Sequence, residues 1–270
     1  MMKIHTIDLK FRGVKEAIAS FLIEGENNLA LVETGPHSTF PNLKKGVEAL
    51  GFQIEDIRHV FISHIHLDHA GAAWAVAEKG ATVYLHPVGY PHMHDPSRLM
   101  SSAKRIYQDE METLWGDMRA IPADRLKVVN HGETIQIGSI ALTAHHTPGH
   151  AIHHIAWQLG DKLFAGDVAG VKIGKGIVVP PCPPPDIDIE AWVESINLLR
   201  SLKLSAIYLT HFGLITDIDE HLDSLENRLW DWAKWIKPYL GTEMKEVVPK
   251  FEAYVVQQLK ENGLDSEGLD

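Results

Sequence analysis

Cysteine is almost absent: Cys182 is the single one in 270 residues. Without a partner in the chain it forms no internal disulfide, and a thiolate-rich zinc cluster is excluded. This usage fits a reducing compartment, so a cytoplasmic protein is expected. Long apolar runs are missing too. No stretch approaches the ~20 residues that span a bilayer, and the opening Met1-Met2-Lys3-Ile4-His5 lacks the apolar core of a signal peptide. Positive charge is scarce, with 25 Lys and Arg against 36 Asp and Glu, a formal net charge of −11. Such a balance disfavours a phosphate polymer as partner, although net charge does not locate charges. No Gly-x-Ser-x-Gly elbow is present to mark a serine nucleophile.

What the chain has in excess is histidine. Seventeen occur, most of them between His59 and His154. Imidazole is the commonest side-chain metal ligand and the usual proton carrier near neutral pH.

The first third alternates strands and helices. Apolar runs predict strands over Ile4–Phe11, Ile18–Glu24, Leu29–Glu33, Ile57–Ile62 and Ala81–Leu85. Helical periodicity covers Pro41–Leu50, stopped by Gly51, and Gly71–Lys79, stopped by Gly80. Such alternation predicts an α/β fold with helices packed on a sheet. The segment from about 87 to 122 has no strand pattern and is expected to be a helical insertion, with one helix over Ser101–Met118. Strands are expected to resume at Thr134–Ile137, Ile140–His145, Ile152–Gln158 and Lys162–Ala165, as a second sheet. Val178 to Pro185 holds five prolines and reads as a rigid extended loop. Ile187–Leu202 is expected to be a helix and Ala206–Leu209 a buried strand. Helices are expected over Thr216–Ile236, with Trp230, Trp232 and Trp235 in its core face, and over Glu243–Glu261. The whole of 1–270 is expected to form one domain, and the polar tail from Glu261 is expected to fray.

The chemistry concentrates in His64-Ile65-His66-Leu67-Asp68-His69, directly after an apolar strand. Three imidazoles and a carboxylate in six residues cannot all be satisfied inside a core. In a turning segment His64 and His66 project to one side, while Asp68 and His69 reach a neighbouring position. That arrangement suits two cations rather than one. Three further candidates, His150, Asp167 and His211, each stand just past a predicted strand, and ligands at strand ends on one rim converge. Imidazole and carboxylate without thiolate allow zinc first, and also iron or manganese.

In these motifs, in this order, the sequence resembles the metallo-β-lactamase superfamily over Ile18 to His211. The resemblance implies an αββα sandwich with metals at one edge of its two sheets, and C-terminal helices at about 216–261. It implies that His64, His66 and His150 bind a first metal, that Asp68, His69 and His211 bind a second, and that Asp167 bridges them. Asp rather than Cys at 167 looks like the glyoxalase II and lactonase branch. The family's early Asp-Thr-Gly is here Glu33-Thr34-Gly35, with Glu33 expected to hydrogen-bond a ligand imidazole. His66 stands where flavodiiron relatives carry Glu, which favours hydrolysis.

The function expected is a dinuclear metal-dependent hydrolase acting on an ester, lactone or thioester carbonyl, with Asp68 orienting the water and carrying its proton. A mononuclear iron persulfide dioxygenase is the alternative; an RNA-processing nuclease, a β-lactamase or a non-catalytic binding protein fits less well. The expected partner is a small-molecule substrate, with no nucleic acid and no membrane, and a homo-oligomer is allowed. Tyr90, Met93, Met100, Tyr107, Met111 and Trp115 are candidates for an apolar pocket wall. Cys182, with no base beside it, is expected to be inert.

Overall fold

The computed structural model describes residues 2–174, 176–183 and 185–262; Pro184 and the tail beyond Asn262 lie outside the described residues. In chain order the strands are β1 (Lys3–Asp8), β2 (Ala19–Glu24), β3 (Leu29–Val32), β4 (His59–Phe61), β5 (Thr82–Leu85), β6 (Leu126–Val128), β7 (Thr134–Ile137), β8 (Ile140–His146), β9 (Ile155–Leu159), β10 (Lys162–Gly166), β11 (Ala206–Leu209) and β12 (Gly213–Ile215). They form two six-stranded sheets, ordered β1-β2-β3-β4-β5-β6 and β12-β11-β10-β9-β8-β7. The helices are α1 (Phe40–Ala49), α2 (Leu67–Ala70), α3 (Ala73–Ala77), α4 (Tyr90–His94), α5 (Ser97–Tyr107), α6 (Met111–Leu114), α7 (Ile189–Ser201), α8 (Ile218–Ile236) and α9 (Met244–Glu261).

Side-chain alternation explains the layering. In β2, Ala19, Phe21 and Ile23 face the second sheet, where they meet Ile140, Leu142, Trp157 and Phe164. Leu22 points the other way, into a cluster with Leu43, Val47 and Trp74 of α1 and α3. On the outer face of the second sheet, Leu163 and Ile207 pack with Trp192, Ile196, Leu222 and Leu225 of α7 and α8. A strand buried on both faces is expected to be near-continuously apolar; β3 is wholly so, and β2 departs only at the buried Ser20 and at Glu24 at its end. The result is the expected αββα arrangement, helices outside and two sheets within.

Several expectations need correction. The helix expected over Ser101–Met118 is two helices: the backbone turns left-handed at Gln108 (φ 46°), which ends α5. Strand β12 was not foreseen; it is three residues long and only partly buried. Trp230 is exposed rather than core. Trp232 and Trp235 pack on Phe251 of α9 instead, and the Tyr254 hydroxyl donates to Asp231 across the same helix pair. No helix among the described residues is long and apolar enough to cross a membrane.

Candidate metal centre

The candidate ligands sit on one rim because the strands that carry them end there. His64, His66, Asp68 and His69 follow β4, His150 lies in the turn from β8 to β9, Asp167 follows β10 and His211 follows β11. Hydrogen bonds between the two sheets close this edge. The Ile155 amide donates to the Ser63 carbonyl at 2.8 Å, the Ala19 amide to Thr210 at 2.8 Å, and the Trp157 indole N–H to Ile62 at 3.0 Å. Gly149 allows the His150 turn to seat on α7. Its φ is +128°, and a Cβ there would lie 2.3 Å from Trp192 Cα.

Two groups of ligand atoms result. In one, His64 Nε2 and His66 Nδ1 are 2.8 Å apart, and His150 Nε2 lies 3.2 and 3.0 Å from them. In the other, His69 Nε2 and His211 Nε2 are 3.3 Å apart, with Asp68 Oδ2 at 3.7 and 3.3 Å from them. The two oxygens of Asp167 divide between the groups. Oδ2 is 3.2 Å from His150 Nε2, while Oδ1 is 3.3 Å from His69 Nε2 and 3.5 Å from His211 Nε2.

These distances fit divalent cations. Metal–nitrogen bonds of ~2.0–2.1 Å in a tetrahedron place ligand atoms ~3.3 Å apart. Tautomers support the same conclusion. His150 Nδ1–H donates to the Pro181 carbonyl at 2.8 Å and His211 Nδ1–H to the Ala17 carbonyl at 3.1 Å. A neutral ring that donates through Nδ1 presents a lone pair at Nε2. Lone pairs from several rings converge on one point, which a cation satisfies and a hydrogen-bond network does not. Asp167 Oδ1 is buried without a hydrogen-bond partner in the protein, as expected of an atom reserved for a metal.

Electrostatics separate the groups. Burial, reinforced by neighbouring imidazoles, pushes His64 well below the usual histidine range and His66 down to about 4. Burial also acts against protonated His69, but Asp167, Asp68 and Glu33 outweigh it and hold that ring well above the usual range. His211 is raised against burial by Asp167 and Asp68. Burial disfavours ionised Asp167, yet His69, His150 and His211 hold its carboxyl well below the usual range. Asp68 is lowered in the same way, by His69 and His211.

All seven candidate residues of the sequence reading are therefore brought together. Glu33 joins them: Oε2 is 3.3 Å from His69 Nδ1, and Oε1 accepts the Ser63 amide at 3.0 Å. His154, unassigned from sequence, stands behind Asp167. Its Nε2 accepts the Asp167 amide at 3.1 Å, and Nδ1–H donates to Thr147 Oγ1 at 2.8 Å. The only sequence signal was its place four residues after His150. Of the candidate pocket residues, Met93 is fully buried, and Tyr90, Met100, Tyr107, Met111 and Trp115 pack partly buried on the first core. Cys182 is exposed, yet local desolvation pushes its thiol up to about 12, so it is no thiolate at neutral pH.

Known proteins resemble this chain in sequence and fold. A metallo-beta-lactamase fold-containing protein of the archaeon Sulfurisphaera tokodaii is 26% identical over 64% of this chain and 67% of its own length. The crystal structure of an archaeal metallo-beta-lactamase superfamily protein from Sulfolobus tokodaii superposes with a TM-score of 0.66 at 25% identity, covering 82% of this chain and 84% of that one. An atrochrysone carboxyl ACP thioesterase of Aspergillus fumigatus is 22% identical over 75% of this chain, a match that spans 41% of the thioesterase. The family model described as the metallo-beta-lactamase superfamily matches residues 14–211, and with its ligand motifs gathered on one rim of an αββα sandwich the chain belongs to that superfamily of metal-dependent hydrolases.

Proposed function

We propose that this protein hydrolyses an acyl thioester or related ester with two divalent metal ions, zinc first. His64, His66 and His150 would hold one, Asp68, His69 and His211 the other, with Asp167 between. When bound, such ions supply a water of near-neutral pKa and charge to polarise a carbonyl. The observation that carries the reading is the division of the two Asp167 oxygens between two ligand groups.

The remaining steps belong to the chain's own groups. Asp68 is about one-quarter exposed, so its carboxylate stands between the buried ligands and solvent. It orients the attacking water and accepts its proton. A C–O bond forms at the acyl carbon, the C–S or C–O bond to the leaving group breaks, and Asp68 returns the proton to the departing thiolate or alkoxide. His66 and His211 are likewise only partly buried, which leaves the open side of the site to substrate. The thioesterase name of one relative supports the thioester over the lactone.

Metal analysis and turnover test this together. Protein purified without added metal should hold two divalent ions per chain and cleave aryl esters or acyl thioesters. One iron per chain with persulfide consumption would replace this reading with the dioxygenase.

A further inference from the structure

The protein is acidic overall, but two of its exposed segments are basic. The loop between β1 and β2 carries Lys10, Arg12 and Lys15 against one acid, Glu16, and the last turn of α5 carries Lys104 and Arg105. All five basic residues are exposed. Among the described residues, every ion pair made by Lys or Arg involves others. The acidic Asp109, Glu110 and Glu112 follow only after the chain has turned at Gln108.

These two segments meet beside the metal ligands. Phe11 stacks on Trp115 at 5.6 Å, and Tyr107 meets the same indole edge-on at 5.0 Å. The loop's Ala17 carbonyl accepts from His211 at 3.1 Å. An aromatic trio thus joins two basic segments into one strip, and the first segment touches a candidate ligand.

Backbone strain marks the same segments. Among the described residues, five that are not glycine have positive φ: Lys10, Arg12, Glu16, Glu33 and Gln108. Three lie in the loop, one ends α5 and one contacts His69. Such backbone conformations concentrate where a side chain must be held for function.

We propose that Lys10, Arg12, Lys15, Lys104 and Arg105 bind the phosphate-bearing arm of a carrier-linked acyl thioester, with the arm's apolar stretch over Phe11, Tyr107 and Trp115. This rests on the thioester reading above and adds the carrier. The shared chemistry is a phosphopantetheine arm, free in coenzyme A or mounted on a carrier protein. Lys and Arg recognise its phosphates by charge and fork geometry.

The test uses the metal-loaded protein and one acyl group on three handles: coenzyme A, a phosphopantetheinylated carrier protein, and uncharged N-acetylcysteamine. The expected kcat/KM is about tenfold or more higher with coenzyme A than with N-acetylcysteamine at low salt. That ratio should collapse toward one at about 1 M salt, where the screening length is ~3 Å, and in the double variants R12E/K15E and K104E/R105E. The carrier-protein arm reports which source is preferred. Titration calorimetry with coenzyme A alone reads the strip without turnover. Salt-sensitive coenzyme A binding without hydrolysis of any thioester would sink the thioester reading and leave the strip standing. A handle ratio near one in the unaltered protein, insensitive to salt, would overturn the proposal, as would RNA displacing coenzyme A at lower concentration.

Discussion

The backbone amide of Asp167 donates to Nε2 of His154 at 3.1 Å, so the candidate bridging carboxylate is aimed by a histidine that itself contributes no atom to either ligand group. Burial, with the neighbouring His150 charge behind it, pushes His154 well below the usual range. The ring is therefore neutral, with its one proton on Nδ1 toward Thr147 Oγ1. Replacing it leaves the Asp167 amide unpaired and buried. His154→Leu should lower metal affinity by about 10–100-fold, the usual effect of losing a group that orients a ligand. Chelator competition checks this, and unchanged affinity in a folded variant would refute the positioning role.

Asp68 and Asp167 should fail differently. Asp68→Asn removes the proton acceptor at an only slightly altered ligand, so turnover should fall by about 10²–10⁴-fold with most metal retained. Asp167→Ala removes both oxygens that approach the two ligand groups and should empty the site. Cys182→Ser should keep most activity, since its thiol stays protonated. Metal content measured beside turnover separates the three variants. A dead Cys182→Ser enzyme with full metal would show that the proline loop does more than hold His150.

The rim ligands were legible because each follows an apolar run that could only be a buried strand: Val60–Phe61 before His64, Leu163–Ala165 before Asp167, Ile207–Leu209 before His211. Their convergence follows from β4, β10 and β11 ending on the same rim, a property of strand direction that patterning alone does not reveal. What escaped had no periodic signature. The positive φ at Gln108 had no signal in the sequence, for glutamine has no preference for it. Strand β12 is too short and too exposed to alternate. The Pro181 carbonyl that fixes His150 is a backbone atom, invisible in a list of side chains. Trp230 looked like core by residue type, but its α8 position faces outward. The basic strip was hidden by a net charge that averages over the surface.

Gly149 should tolerate no side chain. A Cβ would press to 2.3 Å from Trp192 Cα, backbone that cannot swing aside, at a φ of +128° that L residues rarely adopt. Gly149→Ala should destabilise the fold by at least roughly 1–3 kcal/mol. It should also weaken metal binding through the displaced His150. Thermal unfolding and metal content together check this, and a variant with unchanged melting temperature would mean that the α7 contact is looser than 2.3 Å implies.

Acid should destabilise the metal-free protein, and the sign follows from its buried histidines. Burial pushes His153 down to about 3 and His86 down to about 4. In the unfolded chain both titrate near the ordinary value of ~6.5. Between those limits the unfolded state binds protons that the folded state refuses, so stability falls as pH drops below ~6.5 and levels off near 3. His64, His66 and His154 act in the same direction. His69 and His211 oppose them: their raised values contribute stability that is present below ~6.5 and lost as pH rises through the folded value. The depressed group is larger, so the net slope favours neutral pH. Melting temperature should fall steadily from pH 7 to pH 4 in chelator-treated protein. His153→Gln should flatten that slope, because an amide takes no proton in this range. A melting temperature that rises on acidification would show that His69 and His211 dominate instead.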